Sequence, residues 1–195
     1  MFNETMYKFL LAIIILITLL IRWYYRFKFY HKTQKVASSF KTREIVIAGS
    51  IGLSFFIPIV LYYTDKLRFF NLNFPISVRI LGGFFLLLNT LFLGWIHYTL
   101  GKNWSPILEI HKEQTLIISG PYKYVRHPMY TSLLFYTLGL PLLSSNWLMG
   151  LLPFISFIGV YSIRIPSEEQ MMMSVFGKQY QFYMEKTKRI IPFLF

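Results

Sequence analysis

Long apolar blocks divided by short charged stretches set the pattern of this chain. The first block, from about Tyr7 to Ile21, is long enough to cross a bilayer core once its aromatic flank is counted, which gives a helix over about 7–23. It lacks the basic start of a signal peptide and ends at Arg22-Trp-Tyr-Tyr-Arg26 rather than at small residues, so a retained helix is expected. Ile45 to Tyr63 reads as a second span and Ile76 to His97 as a third. Met129 to Leu143 and Trp147 to Ile163 read as the fourth and fifth. Only Ser144-Ser-Asn146 separates the last two, and that turn chemistry makes them an antiparallel helical hairpin. Pro58, Pro141 and Pro153 read as kinks that packing absorbs.

Small residues mark places of close helix approach. They are Ala48, Gly49, Gly52 and Ser54 on the second span and Gly82, Gly83 and Gly94 on the third. They permit a dimer without requiring one, so monomer and homo-oligomer both stay open. Asn89, near the middle of the third span, reads as polar glue between helices. From Ser167 to Lys186 the pattern changes to an amphipathic helix, with Met171, Met172, Val175, Phe176, Tyr180, Tyr183 and Met184 at helical spacing. Those side chains are expected to pack on the protein or the bilayer surface. Ser167 and Gln170 suggest a capping box at its start, and Gly177 weakens or divides it. Tyr98 to Arg126, with β-branched and alternating residues, is expected to hold extended segments along the membrane face.

Composition sharpens this into an integral membrane protein of one domain over residues 1–195. Of its residues 55% are hydrophobic and 19% aromatic, above the apolar share of a soluble domain. The net charge of +12 is not spread as a nucleic-acid footprint would be. Arg22 to Arg43 carries seven Lys or Arg with no acid, and five spans place that loop, Tyr98–Arg126 and the C-terminal segment on one side. Those three segments hold sixteen of the twenty Lys and Arg, which makes that side cytoplasmic. The absence of cysteine removes disulfides, thiolate ligands and a thiol nucleophile.

Little else in the chain can carry chemistry. No Gly-rich loop follows a predicted strand. The four histidines, His31, His97, His111 and His127, are not at zinc-ligand spacing. The sole aspartate, Asp65, lies on the opposite face from any Ser–His pair. What remains is the pair of polar ends of the helical hairpin, Gly120-Pro-Tyr-Lys-Tyr-Val-Arg-His-Pro-Met-Tyr130 and Arg164-Ile-Pro-Ser-Glu-Glu169. Arg164 and Glu168 are four apart and share a helix face unless Pro166 interrupts it. An ion pair with a snorkelling arginine would explain them alone, but the hairpin brings Arg126-His-Pro-Met-Tyr130 to the same depth.

These two motifs, followed by Phe176-Gly-x-x-Tyr180, Tyr183, Thr187 and Pro192, resemble the isoprenylcysteine carboxyl methyltransferase family, in particular its short, five-span prokaryotic members. The resemblance runs from about Trp95 to Phe195. It implies an all-α integral membrane fold of five transmembrane helices, with a cytoplasmic pocket for S-adenosyl-L-methionine. It also implies cofactor contacts from Glu109, Gln114, Thr115, Leu116, Ile117, Tyr122, His127, Pro128, Met129, Tyr130 and Glu168. Arg164 would face the methyl acceptor and, with Glu168, form the catalytic pair. No metal is implied.

The expected reaction is carboxyl O-methylation of an isoprenylcysteine-like or other lipophilic carboxylate. An already nucleophilic carboxylate needs a fixed cation rather than a base, and the arginine fork supplies one. The rival within the class is N-methylation of phospholipid amines, with Glu168 or Glu169 as base. Outside it stand a sterol-reductase-like oxidoreductase using a nicotinamide, and a protein whose polar clusters are interfacial anchors only.

Overall fold

Tyr7, Leu11 and Ile14 recur at helical spacing and form the buried stripe of α1 (Glu4–Phe29). Leu16, Leu19, Leu20 and Trp23 face outward on the same helix. The computed structural model describes residues 4–29, 35–38, 41–105, 109–111 and 115–193. Apolar surfaces recur on α2 (Lys41–Tyr63) and α3 (Ile76–Leu100), where Phe56, Leu81, Phe84, Leu88 and Leu91 are exposed. Apolar residues outside as well as inside are what a lipid solvent asks for, and an apolar belt of this extent would not suit water.

Among the described residues, four helical stretches are long and apolar enough to cross a membrane: Glu4–Phe29, Ile45–Tyr63, Ile76–Asn103 and Leu148–Phe176. The protein is therefore a multi-pass integral membrane protein whose spanning segments are all helical. The fourth expected span is α4 (Pro128–Ser144), 17 residues long, at the lower end of what a bilayer core needs. α4 packs against α3 and α5 (Leu148–Gly159). Gly82, Gly139 and Gly150 let these helices approach. A Cβ on Gly82 would lie 2.5 Å from the Leu143 nitrogen, and one on Gly150 would lie 2.4 Å from the Thr137 carbonyl oxygen. Asn89 acts as expected, its Nδ2 donating to the Ser132 carbonyl at 3.0 Å. Gly49 and Gly52 behave differently: nothing lies within 4 Å of where their Cβ atoms would be.

The two ends of the bundle are built in contrasting ways. At the far end, Arg79 donates to both oxygens of Glu4 (2.7 and 3.0 Å) and to the Leu143 carbonyl, and Lys8 pairs with Asp65 at 2.7 Å. The hairpin turn there is held by Ser145 at φ 55° and by buried Asn146, which donates to Leu67 O and Asn71 Oδ1. Halfway along, Thr18 of α1 meets Thr90 of α3 and Tyr136 of α4 in a hydroxyl cluster with spacings of 2.8 to 3.2 Å. At the other end, strand β1 (Lys35–Ser38) pairs antiparallel with β2 (Glu109–His111), in the register Ser38 to Glu109 and Lys35 to His111. The pairing joins two of the basic segments that the sequence places on one side.

The fifth span does not stop where its apolar run ends. α5 passes through a π turn, Val160–Arg164, directly into α6 (Ile165–Phe176). Pro166 has no N–H to give, and the wider turn, with the Ile165 N–H reaching back five residues to Val160 O, absorbs it without a break. Ser167 consequently lies inside the helix, with its hydroxyl on Ile163 O at 3.0 Å, and forms no capping box. Gly177, at φ 49°, divides α6 from α7 (Lys178–Lys186).

Candidate functional site

The two motif segments meet at the ribbon end of the bundle. Gly120 takes φ +57°, where a Cβ would also fall 2.7 Å from Thr99 Oγ1, so glycine is required there. It opens a 3-10 turn, Gly120–Lys123, that buries Pro121 and Tyr122. Pro128 then starts α4 at its first turn, where a missing N–H costs nothing. The C-terminal tail ties this entry down. Arg126 N and His127 N donate to Lys188 O and Arg189 O, and Thr131 Oγ1 donates to Ile190 O. Tyr183 Oη donates to Tyr122 O at 2.6 Å.

Glu168 and Glu169, adjacent on α6, point to different tasks. Glu169 is buried and accepts from Arg126 Nη2 at 2.9 Å, His127 Nε2 at 3.2 Å and Arg189 Nη2 at 2.7 Å. Arg126 also donates to Met184 O and Thr187 O. One carboxylate thus joins the start of α4, α6 and the C-terminal tail. The Glu168 side chain keeps 31% exposure and accepts from Tyr130 Oη at 2.8 Å.

Glu168 faces a cavity of about 230 Å³. Thr115, Leu116, Ile117, Tyr122, His127, Met129, Tyr130, Arg164 and Glu168 line it, so nine of the expected site residues converge. Pro128 is not among the lining residues; it serves the helix start. Gln114 lies outside the described residues. Glu109 is on β2, and the structure describes its backbone only. Arg164, Glu168, Met171 and Met172 share the cavity face of a continuous helix, which resolves the doubt raised by Pro166.

Several lining residues went unread in the sequence. Met171, Met172, Tyr180 and Tyr183 line the cavity instead of merely packing. Trp104, 3% exposed, and Asn103 also line it, the latter accepting from Thr115 N at 2.9 Å. Arg22 reaches it from α1 and Ile51 from α2. The signal for Arg22 was its place as the first charge after a long apolar run; an interfacial role accounted for it equally well.

Burial pushes the phenols of Tyr122, Tyr180 and Tyr183 above the ordinary tyrosine value, so all three are neutral donors. Leu116 and Ile117 line the cavity, and among the described residues their backbone groups have no hydrogen-bond partner. Aromatic faces and the Glu168 carboxylate, set beside the guanidinium groups of Arg22 and Arg164, suit ligands that carry both positive and negative groups. No cluster of metal-binding side chains occurs among the described residues.

A family model described as "Isoprenylcysteine carboxyl methyltransferase (ICMT) family" matches residues 81–174, which contain most of the cavity lining. The "Protein-S-isoprenylcysteine O-methyltransferase" of Schizosaccharomyces pombe is 33% identical over 96 residues, covering 48% of this chain and 41% of that protein. "Protein-S-isoprenylcysteine O-methyltransferase B" of Arabidopsis thaliana is 25% identical over 167 residues, covering 81% of each. The chain spans about half the length or less of the first such relatives, at 41% and 51%. Among solved structures it is similar to "Structure of the eukaryotic intramembrane Ras methyltransferase ICMT (isoprenylcysteine carboxyl methyltransferase) without a monobody". That likeness has a TM-score of 0.55 at 23% identity, over 80% of this chain and 54% of the other, and it concerns the fold.

Proposed function

We propose that this chain, which belongs to the isoprenylcysteine carboxyl methyltransferase family, methylates the carboxylate of a lipophilic, isoprenylcysteine-like acceptor with S-adenosyl-L-methionine. The observation that carries the reading is the shared cavity of Arg164, Glu168, Tyr122, Tyr130 and His127. When bound there, S-adenosyl-L-methionine supplies an electrophilic methyl group on a cationic sulfur. Glu168, oriented by Tyr130, offsets that positive charge, and the rings of Tyr122 and Tyr130 give it apolar and π contacts. Thr115, Leu116 and Ile117 line the donor side of the pocket, and Glu109 and Gln114 are donor contacts implied by the family resemblance alone. Met129 and His127 line the pocket, and Pro128 sets where α4 begins.

Arg164 positions the acceptor. Its planar fork fixes a carboxylate in two hydrogen bonds and keeps it aligned, which matters because alignment and exclusion of water supply much of the catalysis in a methyl transfer. A carboxylate is already nucleophilic near neutral pH, so no residue has to accept a proton. In this reading the donor comes from the cytoplasm, which the gathering of Lys and Arg on the segments at the cavity end of the bundle supports. The acceptor enters from the bilayer. A lateral path is supported by α1 and α2, which meet at the far end through Tyr62 Oη on Glu4 and Tyr63 Oη on Lys8 O, while Gly49 and Gly52 face open space.

The test is transfer of labelled methyl from S-adenosyl-L-methionine to an S-farnesylcysteine in detergent micelles. Label that alkali releases as methanol marks an ester and supports the reading. Alkali-stable label on an amine lipid would replace it with N-methylation.

A further inference from the structure

We propose that Arg22 is a second guanidinium of the acceptor site and that Arg22 and Arg164 together form a two-pronged clamp that makes the enzyme selective for an anionic acceptor; this rests on the methyl-transfer reading. Four cations of the described helices and tail are held by carboxylates: Lys8 by Asp65, Arg79 by Glu4, and Arg126 and Arg189 by Glu169. Arg22 has no hydrogen bond or ion pair to any described residue, yet it lines the same cavity as Arg164. It sits one helical turn beyond Thr18, whose hydroxyl cluster with Thr90 and Tyr136 fixes that part of α1. Tyr25, on the next turn, packs on His97 at 5.3 Å, and the two contacts bracket Arg22 and set its direction.

Charge completes the argument. With Arg126 neutralised by Glu169, the fixed charges lining the cavity among the described residues are Arg22, Arg164 and Glu168. The donor, with a sulfonium, an ammonium and a carboxylate, is itself a net cation. The loaded cavity thus has an excess of positive charge close to the reacting atoms, which repels a protonated amine and attracts a carboxylate. Arg22 also lies outside the family-matched residues 81–174, so this prong belongs to the part of the chain that the family model leaves uncovered.

The experiment compares direct binding of N-acetyl-S-farnesylcysteine and of its carboxamide to the purified full chain, in wild type, Arg22→Met and Arg22→Lys. The clamp requires that Arg22→Met weaken the carboxylate about tenfold to a hundredfold, the loss expected for one charge-assisted hydrogen bond. The carboxamide and S-adenosylhomocysteine should keep their affinities within about twofold, and Arg22→Lys should fall between. Equal weakening of both acceptor analogues would mean a structural role, and no change in either would mean that Arg22 only contacts lipid headgroups; both outcomes overturn the proposal. Because discrimination is read by binding, a wild type that prefers the carboxylate but transfers no methyl group would sink the transfer reading and leave the clamp standing.

Discussion

Replacing Glu169 with alanine tests whether the second glutamate of the motif is an architectural hub rather than a catalytic base. The side chain is buried and joins Arg126, His127 and Arg189. Removing one partner of a buried ion pair costs about 3–5 kcal/mol because the other charge stays buried. The present case belongs toward the lower end. Arg126 keeps the Met184 and Thr187 carbonyls, and Arg189, with 34% exposure, can turn to solvent. In a protein of this size, each 1 kcal/mol moves the melting temperature by about 2–4 °C, so a fall of roughly 6–12 °C is expected. Glu169→Gln keeps a carbonyl for one guanidinium but turns an amide N–H₂ toward the other, and should fall between. Thermal unfolding in detergent reads the effect. An alanine variant that melts with wild type would refute the hub.

Two further outcomes concern packing and pH. Gly82→Ala drives a methyl into the Leu142–Leu143 backbone and should destabilise the α3–α4 contact by about 1–3 kcal/mol. Gly52→Ala meets nothing and should melt within about 0.5 kcal/mol of wild type by the same assay. The buried phenols of Tyr122, Tyr180 and Tyr183 ionise only above the unfolded value of about 10, so their contribution is complete below that pH and is lost as pH rises through their higher folded values. Stability should therefore fall above about pH 10, and less steeply in Tyr183→Phe, as followed by melting temperature against pH. A flat profile in that window would contradict the burial.

What was legible in the sequence was local or carried by a compact motif. Apolar runs located the helices because lipid demands them, and Ser144-Ser-Asn146 announced the hairpin because so few residues can only reverse the chain. Thr115, Leu116, Ile117, Tyr122, His127, Met129 and Tyr130 line one cavity with Arg164 and Glu168, since the hairpin fixes both motif segments at one end. Three things depended on packing between distant segments and had no local signal specific to them. The π turn before Pro166 extends the fifth helix and turns Met171 and Met172 to the cavity. Glu169 binds a tail arginine twenty residues away. Arg22 reaches the cavity from a helix whose charge pattern reads equally well as a membrane-orientation signal.

Calorimetric titration of the detergent-solubilised protein with S-adenosylhomocysteine, beside Glu168→Ala, bears most directly on the cofactor cavity. Saturable binding by wild type is expected. S-adenosylhomocysteine lacks the sulfonium, so the variant should lose roughly tenfold in affinity for it through the ammonium and hydroxyl groups, and more for S-adenosyl-L-methionine. No binding by a folded wild type, or binding of both ligands undiminished in Glu168→Ala, would contradict a methyl-donor site built around Glu168.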